Sequence, residues 1–257
     1  MKKMIVFTFL WCAATIAYAQ KAEKTLEGDG YQLSYQSSDP YMPVIQTYVS
    51  EGLAFVSEFL DGEFKETVTV RLFASREKLD AAWSQEWGMP GFKTECWMVG
   101  SGIASKLDVL SPNVWQEQAC EHDPKDSIEI KQLVFHELTH VLHSDYNRSR
   151  MFDDIRNIDW LVEGLATYVS GQLDEERFGR VKTYVEETGG PGELALFWKG
   201  EHKYGLSGSM MAYIDQAYGR KVLIQLMEYN YLEDVLSIMK TTEPLLIEQW
   251  REFVLTR

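Results

Sequence analysis

His136-Glu137-Leu138-Thr139-His140 places two histidines four positions apart in a stretch that reads as a helix. Four residues are just over one helical turn, so His136 and His140 project from the same face. Two imidazoles so spaced can each bring a nitrogen to about 2.0–2.1 Å from a single zinc ion. Glu137 is displaced around the helix, where it reaches a metal-bound water and not the metal. That is the place of a general base. The flanks are apolar: Gln132-Leu133-Val134-Phe135 precedes the motif and Val141-Leu142 follows it. Two histidines and a glutamate are costly to bury in such a helix without partners, and a metal is such a partner. The competing reading is a solvated helix with an ordinary ion pair.

A catalytic zinc site takes three protein ligands and leaves a fourth position for water. Downstream, Asp159-Trp160-Leu161-Val162-Glu163-Gly164-Leu165-Ala166-Thr167-Tyr168 reads as a second helix, with Asp159 as its N-cap. Glu163 is the acid set in that apolar pattern, and a buried carboxylate needs a cation or hydrogen bonds. Gly164 has no side chain to hold a neighbouring helix away. An exposed helix glutamate is the alternative.

HELTH followed by WLVEGLATY resembles the gluzincin metallopeptidases. The wording Trp160-Leu161-x-Glu163-Gly164-Leu165-Ala166 is similar to the peptidase MA-like proteins and their aminopeptidase relatives. The resemblance covers residues 105–230. It implies one zinc ion, with His136, His140 and Glu163 as ligands and Glu137 as catalytic base. It implies an edge strand within Ser105–Pro112 that takes extended substrate by strand addition beside the cleft. It also implies a tyrosine or histidine that shares the charge of a tetrahedral intermediate with the metal. Tyr204, just ahead of Gly205-Leu206-Ser207-Gly208-Ser209, is the first candidate for that role, and His202 and Tyr213 follow. Other zincin patterns fit worse. A metzincin has Gly and His where this chain has His143 and Tyr146, and no GTxDxxYG-like sequence surrounds Asp153, Asp154 or Asp159. The GxMEN signature of the aminopeptidases is missing: Gly100-Ser101-Gly102-Ile103-Ala104 offers no acid to hold a free amine.

The 257 residues are 45% hydrophobic and 25% charged, which suits one large globular domain. A formal net charge of −14 argues against nucleic acid and anionic membranes as partners, and weakly favours cationic peptides. Lys2-Lys3, the apolar run Met4 to Ala14 and Ala17-Tyr18-Ala19 read as a signal peptide over 1–19, cut before Gln20. The run lacks the length and flanks of a stable membrane span. Trp11 directly before Cys12 argues against a lipoprotein. The expected location is periplasmic or extracellular, with 20–257 as the mature domain. In an oxidising compartment Cys96 and Cys120 are expected to pair.

Along the chain, strands are expected at 31–35, 67–73, 95–99 and 104–110, with a loop over 112–125. Helices are expected at 43–60, from Ser75 to Trp87, at 127–143, and almost without break after Asn157. Such an order predicts an α+β, zincin-like fold: an α/β lobe over 28–145 with a mixed sheet and the metal helix, then a helical lobe over 158–257. The reading is an exported zinc peptidase that cleaves peptide or protein substrates with metal-activated water. Two alternatives stay open, a non-catalytic binding protein on the same fold and a zinc hydrolase of non-peptide amides.

Overall fold

The computed structural model describes residues 23–257, so the expected signal peptide lies outside the described residues. Five strands form one mixed sheet: β1 (Glu23–Gly28), β2 (Tyr31–Gln36), β3 (Val68–Phe73), β4 (Gly100–Ile103) and β5 (Lys106–Leu110), in the order β1-β2-β3-β5-β4. The three inner strands run parallel, and each edge strand is antiparallel to its neighbour. Alternation sets the faces: Val68, Val70 and Leu72 of β3 are buried while the residues between them are half-buried. Leu33, Val70 and Leu107 stand in register across β2, β3 and β5 and form the centre of that face.

Parallel strands need crossovers, which here are helical. Helix α1 (Met42–Phe59) links β2 to β3 and buries Ile45, Val49, Leu53 and Val56 along one stripe. Helix α2 (Arg76–Glu86) follows β3, and Ser75 accepts a hydrogen bond from the Lys78 amide as its N-cap. After a 3₁₀ turn and the short helix α3 (Trp115–Gln118), helix α4 (Ser127–Tyr146) carries the HELTH motif, capped by the Asp126 carboxylate on the amides of Ile128 and Glu129. The regular structure beyond is helical: α5 (Asp159–Val169), α6 (Glu175–Thr188), α7 (Lys203–Tyr218), α8 (Arg220–Leu226), α9 (Leu232–Met239) and α10 (Glu243–Thr256). The described chain is thus an α+β fold with a five-stranded mixed sheet and ten α-helices. None of the described helices is long and apolar enough to cross a membrane.

Several expectations need correction. The strand within 105–112 is not the edge: β5 is paired on both sides, and β4 is the edge strand. No strand forms at 95–99. There the Arg76 guanidinium collects the carbonyls of Glu95, Cys96 and Met98 together with that of Gln118, so three of the carbonyls a ladder would use are already taken. Strand β1 was not expected. Asp159 sits inside the first turn of α5, behind Ile158, and does not cap it. Helix α7 starts at Lys203, which puts Tyr204 in its first turn.

Candidate metal centre

Helix α4 starts exposed at Ser127 and Ile128, and from Leu133 to Asp145 every residue is buried. The sheet's edge lies directly on it. A Cβ on Gly102 would stand 1.9 Å from the Glu137 carbonyl oxygen, and one on Gly100 would stand 3.0 Å from Glu137 Oε1. Two glycines at strand period therefore let β4 pack against the backbone of the motif, with Glu137 at the seam. On the other side α5 crosses α7 closely. A Cβ on Gly164 would lie 2.5 Å from the Ser207 carbonyl oxygen, so only glycine permits that separation next to Glu163.

These packings bring three ligand-type side chains together. His140 Nε2 lies 3.1 Å from His136 Nε2. Glu163 Oε2 lies 3.4 Å from the first histidine's Nε2 and 3.5 Å from the second's. Four ligands arranged tetrahedrally at about 2.0–2.1 Å from zinc are separated by about 3.3 Å, so the triangle has the size such an ion requires. The donor chemistry fits as well. His136 Nδ1 is 2.9 Å from the Gln172 side-chain oxygen, which accepts its hydrogen and leaves Nε2 bare and aimed at the triangle. His140 Nδ1 is buried with no hydrogen-bond partner among the described residues. His136, His140 and Glu163 thus form a group able to hold a metal ion.

The charges around the triad separate the two glutamates. Burial works against the charge of Glu163, but His140 and His136 overcome it and hold the carboxyl well below its ordinary range. Burial pushes Glu137 up to about 7, with the charges of Glu163 and Asp108 adding to the rise and His136 and the Gly102 backbone opposing it. One carboxylate is therefore kept ionised toward the histidines, and its neighbour is poised to take and release a proton near neutrality. Burial also raises the Tyr204 hydroxyl, and the charges of Glu163 and Glu137 raise it further, so it stays a proton donor. Its ring stands 6.3 Å from that of His136.

All five expected site residues, His136, Glu137, His140, Glu163 and Tyr204, line one cavity of about 900 Å³. The other candidates divide. His202 lines the cavity but packs against Tyr184, with ring centres 4.8 Å apart. Tyr213 is engaged elsewhere, donating to Gln249. His143 is fully buried against Phe152 and lines no part of the cavity. Asp153 and Asp154 accept hydrogen bonds from Ser149 and Tyr231, away from the triad.

Sequence reading missed Gln172, which follows the end of α5 without any local pattern to mark it. It also missed the Gly100/Gly102 pair, whose period of two was the available signal. Cys96 and Cys120 form a disulfide with Cα atoms 5.2 Å apart. The residues just after each cysteine, Trp97 and Glu121, both line the cavity, so the staple holds one rim of it. No protein-family model matches the chain, and a search of curated proteins gives no match.

Proposed function

We propose that the protein is a zinc-dependent peptidase of the gluzincin type, on a zincin-like fold, acting in an oxidising compartment outside the cytoplasm. The observation that carries this reading is the triangle of His136 Nε2, His140 Nε2 and Glu163 Oε2, with the raised Glu137 carboxyl next in sequence. One zinc ion held by those three side chains supplies Lewis acidity toward a water and a carbonyl oxygen. Glu137 takes a proton from the attacking water and passes it to the leaving amine, the work its position and poised carboxyl suit. Tyr204 donates a hydrogen bond to the carbonyl oxygen as negative charge grows there. Gln172 keeps His136 in the ligand tautomer. The outer edge of β4, at the cavity wall, pairs with an extended peptide. The Cys96–Cys120 disulfide supports the compartment, since such bonds persist where thiols are oxidised.

Metal removal tests the reading. The purified protein should carry one zinc per chain, lose turnover of a broad peptide library on dialysis against a chelator, and regain it with one equivalent of zinc. Undiminished turnover in metal-stripped protein, or none in zinc-loaded protein, would overturn it.

A further inference from the structure

The cavity extends past the triad onto α6 and the first turn of α7, and two cations there have no acidic partner. Arg177 of α6 forms no ion pair and donates no side-chain hydrogen bond among the described residues, and its Nε is buried without a partner. Its guanidinium lies over the Tyr204 ring, 5.6 Å from the centre. The neighbouring Arg180 is already committed to Glu176. Lys203, in the first turn of α7, also forms no ion pair among the described residues. Its ammonium rests among three rings, 4.4 Å from Trp97, 4.7 Å from Trp198 and 5.1 Å from Tyr204. The same turn of α7 has no side-chain cap and no acidic residue. Six acids line the cavity, and none forms an ion pair with Arg177 or Lys203: Glu129 pairs with His122, Glu201 lies against His202, Glu163 faces the histidines, Glu137 meets β4, and Glu121 and Asp159 form no ion pair among the described residues.

A half-buried guanidinium whose Nε is buried without a hydrogen-bond acceptor bears a desolvation cost that a bound anion would relieve. Arg177 touches the ring of Tyr204, which in turn stands beside His136, so the unpaired charge lies two contacts from the triad.

We propose that Arg177, with Lys203 beside it, forms a carboxylate-binding subsite on the α6–α7 side of the cleft, selecting substrates that carry a carboxylate close to the bond cut. The proposal deepens the peptidase reading and rests on it for the word substrate. Two sources share this chemistry, an acidic side chain and a free C-terminus. Guanidinium is the fitting group for either, since its parallel N–H bonds match a carboxylate.

The test uses N-acetylated peptides in three matched forms: glutamine with an amidated end, glutamate with an amidated end, and glutamine with a free C-terminal carboxylate. Binding is measured by calorimetry on zinc-loaded Glu137→Gln protein, and kcat/KM on zinc-loaded wild type. One carboxylate form should exceed the neutral peptide by roughly 10- to 100-fold, and which one it is names the source. Arg177→Met, which keeps the aliphatic stem, should collapse that ratio, and Arg177→Lys should restore part of it. Equal binding of all three forms, or a ratio that survives Arg177→Met, overturns the subsite. An Arg177-dependent ratio in binding without any cleavage upholds the subsite and removes the peptidase reading. Cleavage blind to the carboxylate does the opposite.

Discussion

His143 is fully buried one turn beyond the motif, with its ring 5.0 Å from that of Phe152 and neither nitrogen hydrogen-bonded. Burial pulls its pKa down to about 3, and the charge of His140 adds to that. The Met227 backbone works the other way but at a geometry short of a hydrogen bond. The folded state therefore holds His143 neutral, while the unfolded chain protonates it near its ordinary value of about 6.5. A depressed pKa means stability that is complete above that value and lost as pH falls through the window down to about 3. Within the window the loss approaches about 1.4 kcal/mol per pH unit from this residue. His143→Leu forfeits no hydrogen bond and should flatten the acid side of the stability curve, as read by urea midpoints from pH 7 to pH 4. An unchanged slope would mean that His143 gains a proton in the folded state as easily as in the unfolded one. At this scale the motif residues were legible because their spacing alone places them on one helix face. Gln172 was not, because only the folded turn after α5 brings it to His136.

Among the elements, the junction of β4 with α4 decides how the cleft is walled. Gly102 has no room for a side chain against the Glu137 carbonyl, whereas Gly179, inside α6, faces open space. Gly102→Ala must push β4 off the motif helix, costing on the order of 1–3 kcal/mol by overpacking. It should lower turnover more than zinc affinity, because the displaced strand is the cleft wall at Glu137 and not part of the ligand triangle. Gly179→Ala should stabilise by about 0.5–1 kcal/mol through helix propensity and leave turnover alone. Thermal midpoints, zinc titration and turnover on the two variants check this; a Gly102→Ala protein as stable and active as wild type would refute the close-packed seam. Most helices were legible from their apolar stripes, as with α1. The edge strand was not. Residues 95–99 have the composition of a strand, and only the reach of Arg76 across the fold shows why their carbonyls are unavailable for one.

For the molecule as a whole, the order of mixed strands and helices followed by helices alone was readable from pattern, since the period of two does not recur beyond the metal helix. The cleft was not, because its wall is assembled from residues as far apart as Trp83 and Gly205 that no local pattern links. Net charge gave no sign of Arg177 and Lys203, because it averages over the whole surface. The central claim concerns two glutamates brought together across that cleft, one from α4 and one from α5, with different work. Zinc affinity and peptide turnover measured side by side on Glu137→Gln and Glu163→Gln test it most directly. Glu137→Gln should keep its zinc and its fold while turnover falls by about 10²–10⁴-fold, since an amide cannot take the proton. Glu163→Gln should lose zinc affinity first, with turnover partly returning in excess zinc. Loss of zinc by Glu137→Gln together with tight zinc in Glu163→Gln would contradict the account.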